Sequence, residues 1–165
     1  MEYYLIHKKS IPDVLSKARQ YRSLLEPELA ISICFDVFAI DENNQEALVI
    51  YILSLTDLYT HRETKVPEYK ITIAIQKLKS NFQRFYYNGI YLERKAHFLL
   101  KNPMSESFAF DVFIEAIDYY KQAKSINDTR SDDAILRYNS CVRIIEEKNL
   151  VSREDNYDAN FHNEA

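Results

Sequence analysis

At 165 residues the chain is long enough to bury one domain-sized core, and its 47% hydrophobic and 28% charged residues exclude a disordered composition. A single glycine and four prolines disfavour an all-β fold and a phosphate-cradling enzyme, because both need glycine at their turns. The formal net charge of −4 argues against a general nucleic-acid binder.

Helical signals begin after a short extension, residues 1–10, in which residues 2–6 give the chain's one strand-like signal. Ser10 is placed to cap a first helix. Pro12 suits its first turn, and Ile11, Val14, Leu15, Ala18, Tyr21, Leu24 and Leu25 follow helical spacing. Glu26-Pro27 breaks that helix and opens a second, with Ala30, Ile33, Cys34, Val37 and Phe38 on one stripe. Asp41 to Asn44 reads as a turn, and a third helix from Gln45 to Tyr59 is apolar almost all round, as a central helix should be. Thr60 to Val66 is a polar connection. Pro67 starts a fourth helix carrying Ile71, Ala74, Ile75 and Leu78. Ser80-Asn81 is the break before a fifth helix, which runs from Phe82 to Lys101 and ends at Asn102-Pro103. Ser105 or Ser107 caps a sixth, holding Phe110, Phe113, Ala116, Ile117, Tyr120 and Ala123. After a turn at 127–131, a seventh helix spans Asp132 to Lys148, with Ser131, Asp132 and Asp133 as capping and dipole-complementing residues. Residues 149–165 are acidic and Asn-rich without periodicity, the composition of a disordered tail. The expected fold is all-α, with about seven helices over residues 11–148.

One pattern of small and apolar residues appears twice. Ala30, Cys34, Val37 and Ile40-Asp41 recur 86 residues later as Ala116, Tyr120, Ala123 and Ile126-Asn127, and Ala47-Leu48 recurs one residue further on as Ala134-Ile135. A small residue, a larger one four later and a small one three after that share a helical face. The small positions let a neighbouring helix approach closely. In these residues the chain resembles the tetratricopeptide repeat family, a tandem helix–turn–helix unit of about 34 residues. Its first-helix pattern is matched by Phe85, Asn88-Gly89 and Leu92, and its second-helix pattern by Ala30/Cys34/Val37, Ala116/Tyr120/Ala123 and, more weakly, Pro67/Ile71/Ala74. The chain departs from the family in the connection at 60–66, in the elongated helices between Leu92 and Ala116, and in Glu42 and Asp128 where a repeat usually ends on proline.

The resemblance implies antiparallel helix pairs stacked as a short α-α superhelix that binds a partner protein's peptide or amphipathic helix in a concave groove. The positions it places on that groove are Val49, Leu53 and Asp57 of the third helix, Tyr86, Ile90, Glu93 and Arg94 of the fifth, and Leu136, Ser140 and Arg143 of the seventh. Some members clamp a C-terminal carboxylate with Lys and Asn at two such places. Val49/Leu53 and Tyr86/Ile90 stand there, so that clamp is absent and an apolar, Tyr-lined groove is expected instead. Stacking of the repeats into a homo-oligomer is the alternative.

Catalytic signals are few. His7, His61, His97 and His162 are scattered, without HExxH or Glu-x-x-His spacing, and the one glycine lies inside a helix rather than in a phosphate loop. Glu93 and His97, one turn apart, read as a surface pair rather than metal ligands. Cys34 and Cys141 fall on apolar stripes and outside any CxxC, as two buried thiols in a reducing compartment. No catalytic residue, metal or cofactor is expected. Residues 61–101 carry nine Lys/Arg against three Asp/Glu, and residues 146–165 carry a net −4, so a basic middle could meet an acidic peptide or the chain's own tail. Aromatics interleaved with cations from Phe82 to Lys95 could stack single-stranded bases, but Phe82, Phe85 and Leu92 are packing positions, which disfavours a nucleic-acid role. Ala47 to Leu53, the longest apolar run, is too short to span a bilayer, and the opening residues lack the basic-then-apolar order of a signal peptide. A cytoplasmic protein–protein interaction module is the expectation.

Overall fold

The computed structural model describes residues 2–61, 68–126 and 132–153. Among these residues the fold is all-α. The seven helices are α1 (Ile11–Ser23), α2 (Pro27–Phe38), α3 (Gln45–His61), α4 (Glu68–Gln76), α5 (Asn81–Leu99), α6 (Glu106–Ile126) and α7 (Asp133–Glu147). Single 3-10 turns at Lys8–Ser10 and Pro103–Ser105 precede α1 and α6. Residues 2–7 form no helix and pair with no neighbouring strand, so the strand-like signal there reflects β-branched and aromatic side chains without a partner. The chain divides into two compact units, residues 1–79 and 80–165.

In the first unit α1 packs on α2, α2 on α3, and α3 on α1 and α4. The links at residues 24–26 and 39–44 are short, so consecutive helices reverse direction. The apolar stripes meet inside: Leu15 and Ala18 of α1, Ala30, Cys34 and Val37 of α2, and Ala47, Ile52 and Leu55 of α3 are all buried. α1 ends in a left-handed residue, Leu25 at φ 61°, and the Glu26 amide then donates back to the Tyr21 carbonyl at 3.0 Å. Asn44 caps α3, its Oδ1 accepting from the Ala47 amide at 3.0 Å. Gln45 ties down the end of α4. Its amide nitrogen donates to the Lys77 carbonyl at 3.3 Å and its oxygen accepts from the Lys79 amide at 2.8 Å.

The second unit is built on α5 against α6, with α7 packed on α6 and touching α5. Ser80 caps α5 by accepting from the Gln83 amide, so a real break lies at the expected Ser80-Asn81. Ala116, Tyr120 and Ala123 of α6 are wholly buried, as are Phe113 and Cys141. α7 ends with Asn149 left-handed at φ 50°, which lets the Leu150 amide reach the Ile145 carbonyl at 3.0 Å.

Three local expectations differ from the structure. Ser10 does not cap α1: its backbone is already helical and its hydroxyl donates back to the His7 carbonyl at 2.9 Å, closing the preceding turn. Neither Ser105 nor Ser107 caps α6. That helix runs directly out of the turn at Pro103–Ser105, whose start Asn102 caps by accepting from the Met104 amide at 3.1 Å. Asp132 stands at the start of α7 without a side-chain cap bond, and Asp133 remains the acidic residue of the first turn. The packed chain also outlasts residue 148. Leu150 is buried, and Arg153 donates to Asp111 at 2.6 Å while its guanidinium lies 4.6 Å over the Phe108 ring. Pro67, the turn at 127–131 including Ser131, and residues 154–165 lie outside the described residues.

Candidate docking surface

Within each unit, the residues expected to line a groove differ in exposure. In the first unit Val49 and Leu53 are half-buried, and Asp57 is buried in an ion pair with Arg22 of α1 (Nε to Oδ2 2.5 Å, Nη2 to Oδ1 3.4 Å). In the second unit Ile90 and Glu93, expected on the face of α5 that the packing stripe does not use, are buried. The cause is the side chains that α6 and α7 lay over them. Tyr120 donates its hydroxyl to Glu93 at 2.5 Å, and Arg137 reaches the other carboxylate oxygen at 3.2 Å. Tyr86 is half-buried among rings, stacked on Phe82 at 5.6 Å and tilted against Tyr120 at 6.1 Å. Arg94 is half-buried, and Leu136 and Arg143 are exposed.

Glu93, Tyr120, Arg137 and Tyr86 form one polar cluster inside the second unit. Burial raises the Tyr120 hydroxyl pKa strongly, and the adjacent Glu93 charge raises it further, so the phenol stays protonated and donating. The same cluster absorbs the carboxylate of the expected Glu93–His97 pair. His97 instead stands edge-on to Phe113 at 5.3 Å, and burial lowers its pKa. Burial pushes the Cys34 thiol up to about 12, and burial together with Glu93 does the same for Cys141, so neither supplies a thiolate near neutrality. Among the described residues no group of three or more His, Cys, Asp or Glu is placed to hold a metal ion, and no helix is long and apolar enough to cross a membrane.

In the first unit α2, α3 and α4 line an apolar hollow of about 320 Å³. Phe35, Phe38 and Tyr51 make its floor, with ring centroids 5.6 Å (Phe35–Tyr51) and 5.7 Å (Phe38–Tyr51) apart. Tyr69, Lys70 and Ile73 of α4 line it, with Lys77 just past the helix end and Glu42, which lines the same hollow, ion-paired to Lys77 at 2.7 Å. Tyr69, Phe35 and Ile73 remain 62%, 52% and 50% exposed, far more than apolar side chains facing a core. Phe35 also borders a second hollow of about 370 Å³, between α2 and residues Tyr3, Tyr4 and Leu5. Sequence periodicity missed this surface because it follows the buried stripe of α4, Ile71, Ala74 and Ile75. The available signal was Tyr69 and Ile73, spaced four apart and off that stripe.

The lining is mostly aromatic and aliphatic, with Lys70 and the Lys77–Glu42 ion pair as its charged groups, which suits apolar side chains. No protein family matches this chain, and no curated protein and no solved structure resembles it at a significant level.

Proposed function

We propose that this chain is a non-catalytic helical docking module, of the kind its tetratricopeptide-like pattern suggests, acting without cofactor. Its ligand is an acid-flanked protein segment with aromatic or aliphatic side chains spaced to enter the α2–α4 hollow. The observation that carries the reading is the convergence of Phe35, Tyr69 and Ile73, each about half exposed or more, on one concavity where Lys70 stands beside the Lys77–Glu42 pair. A surface that leaves large apolar groups in water around a hollow is what a binding site requires, and Lys70 selects the charge of what enters. Two buried, protonated thiols support placing the protein in a reducing compartment such as the cytoplasm.

The test is fluorescence anisotropy with a synthetic acidic peptide carrying two aromatic residues four apart, against a charge-reversed peptide. The acidic peptide should bind, bind more weakly in high salt, and lose affinity in Ile73→Glu and Lys70→Glu. Tyr86→Ala and Arg94→Ala, in the second unit, should leave it unchanged. Equal binding by Ile73→Glu and the native chain would remove the hollow from consideration.

A further inference from the structure

We infer that the hollow of about 370 Å³ between α2 and residues Tyr3, Tyr4 and Leu5 binds a small quaternary ammonium ion. Tyr3, Tyr4 and Phe35 give it three aromatic rings, Asp36 gives it a carboxylate, and no Lys, Arg or His lines it. Each ring carries a negative face, so rings and carboxylate together attract a cation and repel an anion. Asp36 is exposed and has no ion pair or side-chain hydrogen bond among the described residues, so no cation there already neutralises it. A small metal ion holds its water too tightly for such a lining. An alkylated ammonium is weakly hydrated, and its methyl groups bury against the rings. The α2–α4 hollow has the opposite preference because Lys70 lines it, and the two hollows share only Phe35.

The spacing on α2 builds one side of the site. Ser32, Phe35, Asp36 and Ala39 stand at i, i+3, i+4 and i+7, a single face of the helix, and all four are exposed. The buried stripe of Ala30, Cys34 and Val37 is separate from this face. The other side is the N-terminal segment. Tyr3 and Tyr4 are 97% and 96% exposed, so their rings are not packed into the fold and remain available to cover a ligand. The segment nevertheless hangs from a fixed point. The Ser10 amide and hydroxyl both donate to the His7 carbonyl at 2.9 Å, closing the turn at Lys8–Ser10 that leads into α1. The volume of about 370 Å³ is at the small end of the range of about 300–1,000 Å³ for small-molecule sites, which suits one ammonium group rather than a peptide.

Choline is the probe, titrated with the full chain by proton NMR against its uncharged isostere, in which a tert-butyl group replaces the trimethylammonium. Choline should bind with Kd on the order of 1 mM, a plausible affinity for so small a ligand. Its methyl signal should move upfield, the signature of protons lying over aromatic faces. The isostere should bind about tenfold more weakly or worse, since it has the shape without the charge. Asp36→Asn should weaken choline by about tenfold. Tyr3→Ser/Tyr4→Ser and Phe35→Leu should each weaken it by about threefold or more and shrink the upfield shift. Asp36, Tyr3 and Tyr4 are exposed, so far-UV circular dichroism of those variants should match the native chain. Ile73→Glu, in the other hollow, should leave choline binding unchanged, and Asp36→Asn should leave the acidic peptide's binding unchanged. The two sites therefore stand or fall separately. Absence of choline binding, an isostere that binds as tightly, or a Kd and methyl shift unaltered by Asp36→Asn and by the double tyrosine variant would each overturn the proposal.

Discussion

The two compact units solve the same packing problem with side chains of different size. Each buries a stripe of small, larger, small on its second helix, Ala30/Cys34/Val37 in one and Ala116/Tyr120/Ala123 in the other, all without measurable exposure. Cysteine in the middle asks little of its surroundings, since it is a compact apolar group. Tyrosine has consequences on both neighbouring helices, α5 and α7. Its ring occupies the space beside Gly89, where an added Cβ would meet the Tyr120 Cε1 at 2.5 Å. Its hydroxyl, buried, needs an acceptor and finds Glu93, and the buried carboxylate in turn needs a cation and finds Arg137. The glycine, the acid and the arginine are thus explained by one ring. Both units also pair their first and third helices through charge, with the sign reversed: Arg22 to Asp57 in the first, Glu93 to Arg137 in the second. The second unit gathers Tyr86, Glu93, Tyr120 and Arg137 into one inward cluster while leaving Leu136 and Phe108 exposed, and the first leaves Phe35, Tyr69 and Ile73 exposed around one hollow.

Giving the second unit the first unit's solution tests this account most severely. Tyr120→Cys should destabilise by about 3–5 kcal/mol, because it empties a ring-sized volume and leaves Glu93 without its hydroxyl donor. Gly89→Ala alone should cost about 1–3 kcal/mol through overpacking against a ring that cannot move aside. In the Tyr120→Cys background the same change should become neutral or stabilising by up to about 1 kcal/mol, since only the helix preference of alanine remains. Urea unfolding of the four proteins gives the coupling. Costs that simply add would show that Gly89 is not there for Tyr120.

Much of the fold was legible because the features that specify it are local. The two stripes repeat at helical spacing, and the Ser80-Asn81 break carries its own capping residue. The candidate site was less legible because it depends on which helices cover which. Periodicity assigns α5 a single buried stripe, but α5 meets both α6 and α7, and that widens its buried arc to take in Ile90 and Glu93. Nothing near Glu93 in sequence announces Arg137, 44 residues on. The hollow likewise follows from how α4 lies against α2 and α3, which leaves Tyr69 and Ile73 outside the stripe that periodicity follows.

Where the units are alike, they should respond alike to alkali. Burial holds the Cys34 and Cys141 thiols protonated up to about 12, whereas an unfolded thiol releases its proton near 9.0. Between those values the unfolded chain binds fewer protons than the folded one, so stability is full below pH 9.0 and falls as pH rises toward 12. Each thiol contributes about 1.4 kcal/mol per pH unit to that fall. Cys34→Ala and Cys141→Ala should therefore each flatten the alkaline slope of the unfolding free energy by the same amount. A variant whose slope matches the native chain would show that its cysteine is not sealed from water in the folded state.

The smallest stability effect should come from the residue that matters most for docking. Tyr69 is the same amino acid as Tyr120, but it stands on the open wall of the hollow rather than inside a helix interface. Tyr69→Ser removes little that folding had buried, so thermal and urea unfolding should move by no more than about 0.5 kcal/mol. Affinity for the acidic peptide should nevertheless drop, because the ring is buried only when a ligand arrives. Stability and binding thus separate at Tyr69 as they could not at Tyr120, where any change large enough to alter the surface first disturbs the core. If Tyr69→Ser destabilises the chain by as much as a core substitution, Tyr69 belongs to the core of the first unit, and the contrast between it and Tyr120 fails.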